Sequence, residues 1–358
     1  MAIMGADDID AAVALTAASL RELADRDWSV PAAGLDWSCY DTAVHIGGDF
    51  TAYAGQLTGR ATDAYVPFEI TADPGTTPEG LVRIVEATGG LLSAVVRTAP
   101  EGLTGWHPFG SAGGDGFAAM GVLETLLHTY DILGALGVPG WHGSAPLAAK
   151  VLDRLFPHTP RGEDPWQDLL WATGRAERPG LPALSAWRWY AEPLRGERVV
   201  LCEVSPRVAD DLHAEGTGGF AWADGGPGEG TRAAAGGIVR ARDKGVYRPG
   251  WGQYAIVRAA DGLAVGAIGF HTEPDDEGGV EIGYDVVDSA RGQGYATEAL
   301  CVLADWAFRR PEVATLRARV DEHNDASRRV LVRAGFRETG TVSYERGRPA
   351  PPATPPAG

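Results

Sequence analysis

Through residues 7–174, apolar positions recur at helical spacing in long stretches, separated by loops rich in Gly and Pro such as 71–77 and 108–116. Four segments predict long helices, 8–27, 38–57, 78–99 and 116–136, and a shorter one covers 145–156. Four long connected helices predict a bundle over residues 1–175. The pattern breaks at Arg178-Pro179-Gly180-Leu181-Pro182, followed by Trp187, Trp189, Tyr190 and Pro193, so 176–195 reads as a linker. Beyond it come strand-like runs at 198–204, 253–258, 264–271 and 280–287, the last two joined by a turn at 273–279. Helices are predicted at 295–309 and 325–334, which makes 196–342 an α+β domain. The stretch 216–251, rich in Gly, Asp and Arg, has no readable period and is expected to be loop that carries specificity. From 343 to 358, and above all from Pro349, the Pro- and Ala-rich end has nothing to bury and is expected to be a disordered tail.

Composition narrows the partners. A chain of 358 residues exceeds what one core serves, and 44% hydrophobic with 22% charged residues is an ordinary globular balance, so both domains can bury a core. No run approaches the roughly eighteen apolar residues of a membrane span, and residues 1–20 lack the basic start of a signal peptide. The expectation is a cytoplasmic protein without a membrane partner. Cys39, Cys202 and Cys301 are few, odd in number and scattered, and are expected to be reduced thiols in the core. A formal net charge of −17 argues against nucleic acid, whose phosphates demand Lys and Arg.

In the second half, the strand Glu281-Ile282-Gly283-Tyr284-Asp285-Val286-Val287 runs into Arg291-Gly292-Gln293-Gly294-Tyr295-Ala296 and then an amphipathic helix. The two glycines and the small Ala296 let backbone N–H groups approach a pyrophosphate, and the helix dipole favours the anion. Further on, Asn324-Asp325-Ala326-Ser327-Arg328-Arg329-Val330-Leu331-Val332-Arg333-Ala334-Gly335-Phe336 opens a helix and closes it at glycine. On these two motifs the domain resembles the GNAT family of acyl-CoA N-acyltransferases, and within it the branch that acetylates ribosomal-protein N-termini and small amines. The resemblance implies a mixed central sheet and acetyl-CoA as donor. It also implies that the amides of Gln293, Gly294, Tyr295, Ala296 and Thr297, within the Arg291–Gly292 turn, hold the CoA pyrophosphate. Val286 and Val287 would flank the pantetheine arm and Asn324 would hydrogen-bond it; a helix N-cap accounts for Asn324 equally. Amine attack on a thioester needs a proton acceptor and can use a proton donor. Glu281 is the candidate base, a strand-edge surface glutamate being the alternative. The tyrosine that many relatives use as acid falls on Val332, which leaves Ser327 as candidate, in competition with a capping role.

In the first half, Glu124 and His128 stand four apart on one helix face, with Asp131 a turn further on, and His45 lies in another predicted helix after Trp37, Ser38 and Asp41. Two facing helices can assemble His45, Glu124 and His128 into two imidazoles and a carboxylate with an open position, the pattern of a catalytic zinc site. An i,i+4 Glu/His pair is also common on solvated faces. Trp37, Asp41, His45, Glu124 to Asp131 and Ala135-Leu136-Gly137 resemble the DinB-like, mycothiol-dependent maleylpyruvate isomerase family, a metal-binding four-helix bundle. That resemblance implies a divalent metal, zinc foremost, on His45, Glu124 and His128, and a low-molecular-weight thiol such as mycothiol as co-substrate. The expected protein is an all-α DinB-like bundle fused to an α+β GNAT domain, acetylating a primary amine. The alternatives are a bundle kept only for binding or dimerisation, and a GNAT domain that senses CoA without turnover. Acceptor, acyl length and oligomeric state are not written in the sequence.

Overall fold

The computed structural model describes residues 3–349 apart from 180, 182, 183, 185, 186 and 191. The chain divides into two units, residues 1–157 with 161–192, and residues 158–160 with 193–358.

The first unit is helical: α1 (Ala6–Arg21), α2 (Cys39–Thr58), α3 (Pro78–Thr98), α4 (Gly114–Ala135), α5 (Ala145–Leu155) and α6 (Pro165–Ala172). The first four are the expected bundle. Ser38 caps α2 by accepting the Asp41 N–H at 3.0 Å, and Thr77 caps α3 ahead of Pro78. α2 turns Cys39, Ala43, Ile46, Phe50, Tyr53 and Leu57 inward at the three- and four-residue steps of one face. α4 is buried on nearly all sides and forms the centre. Gly121 lets it come close, because a Cβ there would lie 2.8 Å from Leu92 and 3.2 Å from Phe50. That close approach brings Glu124 and His128, one and two turns on, to face α2.

α1 ends at Arg21 and not at 27, where turn bonds Leu23 N–H to Leu20 O and Arg26 N–H to Leu23 O replace helical ones. The expected linker is also corrected in part. Trp189 and Tyr190 are buried, and the Tyr190 N–H bonds the Leu155 carbonyl at 2.8 Å, so this stretch packs into the helical unit. Large aromatic side chains hold a segment without needing any periodicity.

The second unit is a mixed eight-stranded sheet with helices. In chain order it contains β1 (Leu194–Arg195), β2 (Val199–Glu203), α7 (Pro206–His213), α8 (Glu229–Asp243), β3 (Gln253–Arg258), β4 (Ala264–Phe270), β5 (Gly279–Val286), α9 (Tyr295–Phe308), β6 (Thr315–Arg319), α10 (Asp325–Arg333), β7 (Arg337–Gly340) and β8 (Ser343–Gly347). Among the described residues the strand order is β1-β2-β3-β4-β5-β6-β8-β7, with β5 and β6 parallel and the other neighbouring strands antiparallel. α9 lays Ala299, Leu300, Leu303, Ala304 and Ala307 onto the sheet core.

Two expectations are overturned here. The stretch 216–251 is not all loop, because α8 lies within it. The end of the domain at 342 cuts off β8, which pairs with β6 from Thr315 opposite Gly347 to Arg319 opposite Ser343 and buries Tyr344. A strand with one large apolar residue among Ser, Glu, Arg and Gly gives no alternating signal, and its partner strand makes it one. The rest of the expected tail, 350–358, falls outside the described residues. Cys39 and Cys202 are buried, and Cys301 is half-buried.

Candidate functional site

In the second unit the site forms where β5 parts from β6. β5 pairs with β4 from Phe270 opposite Ile282 to Gly266 opposite Val286, but with β6 only from Gly279 opposite Thr315 to Glu281 opposite Arg317. The bonds His271 N–H to Glu281 O and Val287 N–H to Val265 O commit the odd-numbered residues of this stretch to β4. By the alternation of an antiparallel ladder, the backbone groups of Ile282, Tyr284 and Val286 face the gap. A cavity of about 1250 Å³ opens there, lined by Tyr284, Asn324, Ser327, Ile238, Trp251 and Gln253 among others.

At the end of β5 the chain turns through Arg291, Gly292, Gln293 and Gly294 into α9. Gly292 and Gly294 hold φ of +74° and +86°, a region that side chains with a Cβ rarely adopt. Glu298 donates the first helical N–H, to Gly294 O at 3.1 Å, so the amides of Tyr295, Ala296 and Thr297 point out of the helix start. The Arg291 Nε donates to Val286 O at 3.1 Å and its Nη1 pairs with Asp288 at 2.7 Å, which ties the turn to the strand. Arg198, which the motif does not include, donates to the Gln293 carbonyl at 3.0 Å, pairs with Glu298 at 3.0 Å and lies 5.2 Å from the Tyr295 ring centre. Val286 and Val287 are half-buried against the core.

Asn324 is the N-cap of α10, its Oδ1 accepting the Ser327 N–H at 3.0 Å, and it also lines the cavity. The Ser327 carbonyl accepts the Tyr284 hydroxyl at 3.2 Å. Burial pushes the Tyr284 phenol up, so it stays protonated. Val332 is 60% exposed. Glu281 is half-exposed, its Oε1 lies 3.4 Å from His271 Nδ1, and His271 rather than Glu281 lines the cavity. Sequence reasoning missed Tyr284 and His271. Tyr284 sits on the gap-facing parity of β5, a signal that becomes legible only once the ladder register is known.

In the first unit, α2 and α4 bring His45, Glu124 and His128 together, with one ligand atom of each within 4.8 Å of the others. His128 is 6% exposed. Its Nε2 lies 3.2 Å from Glu124, and its Nδ1 lies 3.2 Å from Asp131, which in turn takes two bonds from Arg175 at 2.9 and 2.7 Å. Burial alone would lower the His128 pKa, but the carboxylates on both nitrogens outweigh it and hold it at about 9. Burial, then the charge of His128, lowers the His45 pKa. His45 Nε2 lies 3.1 Å from Asp49, and the Trp37 ring packs on its imidazole at 4.7 Å between centroids. Burial and the neighbouring Glu124 push the Asp49 carboxyl well above the usual range. Asp49 was missed, although His45, Asp49 and Tyr53 form a ladder at i, i+4 and i+8 on one face of α2.

This donor set suits a divalent metal of the zinc kind. Two imidazoles and one carboxylate converge from two rigid helices, and a buried, Arg-held Asp131 on Nδ1 leaves the His128 Nε2 to the site.

Fold and sites define a two-domain protein: a helical bundle in which His45, Glu124 and His128 converge, then a mixed sheet whose parted strands lead to the glycine turn at the start of α9. The chain carries a mycothiol maleylpyruvate isomerase N-terminal domain, matched over residues 9–133, and a GNAT acetyltransferase domain, matched over residues 198–337. Among curated proteins it is similar to the uncharacterized N-acetyltransferase YjdG of Bacillus subtilis (strain 168), 36% identical over 87 residues, 24% of this chain and 52% of that protein. It is also similar to the uncharacterized N-acetyltransferase p20 of Bacillus licheniformis, 31% identical over 94 residues, 26% of this chain and 52% of that protein. The chain thus spans about half the length of the curated relatives it matches. Among solved structures it is similar to a GNAT-family acetyltransferase from Bacillus anthracis, at 18% identity and TM-score 0.32, covering 44% of this chain and 99% of that one. A putative ribosomal-protein-serine acetyltransferase from Vibrio cholerae matches at 17% identity and TM-score 0.32, covering 44% and 97%. Among the described residues no helix is long and apolar enough to cross a membrane.

Proposed function

We propose that the second unit is an acetyl-CoA-dependent N-acetyltransferase acting on a primary amine, either a small molecule or an α-amino group. The observation that carries this reading is the parting of β5 from β6 immediately before the turn that opens α9. The gap exposes unpaired strand amides to a pantetheine-like arm, and the helix start offers Tyr295, Ala296 and Thr297 amides and the helix dipole to a pyrophosphate. Asn324 can cap α10 through Oδ1 and still offer its amide N–H₂ to the arm.

The acceptor amine enters as an ammonium and must lose a proton before its lone pair attacks the thioester carbon. His271 in the cavity wall, held by Glu281, is placed to take it, so Glu281 acts through the imidazole it orients. The tetrahedral adduct then expels the CoA thiolate, which takes a proton from Tyr284 or Ser327, both of which line the cavity. With Glu281→Gln, kcat is expected to fall about tenfold or more and the rate to climb further with pH than in wild type, because more amine arrives already deprotonated. A wild-type pH–rate profile in both Glu281→Gln and His271→Gln contradicts the assignment.

For the first unit we propose a divalent metal, zinc foremost, on His45, Glu124 and His128, with a low-molecular-weight thiol as co-substrate. When bound, such a metal supplies a thiolate at neutral pH by lowering the thiol pKa. The protein orients the ligands through Asp131 and Arg175, and Trp37 walls one side of His45.

A further inference from the structure

The cavity of the second unit contains a hollow in the face of the sheet that α8 covers. Directly opposed residues of an antiparallel ladder share a face, so Gln253 on β3, Gly269 on β4 and Gly283 on β5 form one row across three strands. Two of the three have no side chain. The next row on that face holds Ala255, Ala267 and Asp285, and in the row on the other side His271 opposes Glu281. The His271 ring folds back over the hollow, because a Cβ at Gly283 would lie 2.8 Å from its Nε2. From Gln253 to Gly283 the row spans two strand spacings, about 10 Å between Cα atoms, and the strand between them contributes only Gly269. Gln253, Gly269, His271 and Gly283 all line the cavity.

Gln253 is fixed from α8. Its Nε2 donates to the Thr231 carbonyl at 3.1 Å, and Thr231 is held in turn by Asp285, which accepts its N–H at 3.0 Å and its hydroxyl at 2.7 Å. A carbonyl accepts and cannot donate, so it is the amide nitrogen that faces Thr231 and the oxygen that is left over. Gln253 is 5% exposed, and its Oε1 meets no donor among the described residues. Buried side-chain acceptors are nearly always met, so an unmet one on a residue lining a cavity marks a place for a donor that the protein does not supply. The second acceptor is His271. Glu281 Oε1 lies 3.4 Å from its Nδ1, which places the proton of the neutral ring there and leaves the Nε2 lone pair over Gly283.

We infer that Gln253 reads the hydrogens of the acceptor nitrogen and makes the site selective for amines over alcohols. The inference rests on the acyltransferase reading for the reaction, but not for the binding. An ammonium R–NH₃⁺ brings three N–H bonds. One proton passes to His271 Nε2, a second N–H donates to Gln253 Oε1, and the freed lone pair forms the C–N bond. The C–S bond then breaks with its electrons on sulfur, and the surplus proton on nitrogen replaces the one that the thiolate takes from Tyr284 or Ser327. An alcohol of the same shape has a single hydroxyl hydrogen. Given to His271, it leaves Oε1 unmet, and a site built around a donor penalises the analogue that lacks it.

The test is calorimetric titration of the full chain, with and without CoA, using alaninamide and phenethylamine, each beside its hydroxyl counterpart, lactamide and 2-phenylethanol. In wild type each amine is expected to bind at least about tenfold more tightly than its alcohol. Gln253→Met keeps the length of the side chain, removes the oxygen and is expected to bring that ratio within about threefold, with a thermal melt as the check on folding. Gln253→Glu keeps an acceptor oxygen and is expected to preserve the preference, which decides the matter should Gln253→Met fail to fold. Three results overturn the inference: no preference in wild type in either state, an unchanged ratio in folded Gln253→Met, as when Oε1 holds only a water, or a preference lost in folded Gln253→Glu. Turnover is not read in this experiment. Failure of the acyltransferase reading therefore shows separately, as a chain that sorts amine from alcohol yet acetylates neither.

Discussion

Replacing Gly294 by glutamate is expected to raise the dissociation constant for acetyl-CoA by at least about a hundredfold, on the order of 2.7 kcal/mol, while the domain stays folded. Two effects act in the same direction. Gly294 sits at φ +86° and ψ 0°, left-handed backbone that costs an L-residue roughly 1–2 kcal/mol, so the turn is pulled away from the shape that aims the Tyr295, Ala296 and Thr297 amides. The new carboxylate also starts at the positive end of the α9 dipole, with its Cβ 3.1 Å from Arg198 Nη2, and takes for itself the charge a pyrophosphate would meet. Gly294→Ala separates the two effects, carrying the backbone cost without the charge, and is expected to lose much less. Calorimetric titration with acetyl-CoA reads the outcome, with a thermal melt as the check on folding. Unchanged affinity in Gly294→Glu removes the loop from the binding site.

His128→Ala is expected to abolish the metal content of the first unit. Wild-type protein, untagged and exposed to zinc or nickel, should carry about one divalent ion per chain by elemental analysis, and the variant almost none. Removing His128 leaves His45 and Glu124, one protein ligand short of the three a catalytic zinc site uses. The loss also takes the imidazole from Asp131, which keeps its two bonds from Arg175. Metal in neither protein makes the bundle a binding or assembly module.

How far these sites were legible in the sequence follows from the range of the interactions that make them. The four long helices and the pairing of Glu124 with His128 are local patterns, visible at i,i+4 spacing. The glycine turn is local too, because a left-handed residue before a helix start needs only its own neighbours. α8 was not visible. Its sequence is glycine-rich and a weak helix former, and its N-terminus is secured from another element, with Asp285 of β5 accepting the Thr231 N–H at 3.0 Å and its hydroxyl at 2.7 Å. Gly228 and Gly230 leave room for that carboxylate. His271 and Tyr284 were missed for the same reason. Each acquires its position through a partner on another element: Glu281 across a strand pair and Ser327 across the gap. Val332 stands exposed on α10, while a tyrosine that lines the cavity, Tyr284, comes from β5.

The central claim is that the parted strands form a working acyl-transfer site, and the most direct test is turnover of acetyl-CoA by the full chain with a panel of primary amines and N-terminal peptides. Release of CoA matched by the N-acetylated product in mass spectrometry, and lost in Gly294→Glu, is the predicted result. Tight binding of acetyl-CoA without acetylation of any amine in the panel would contradict it and make the domain a CoA sensor.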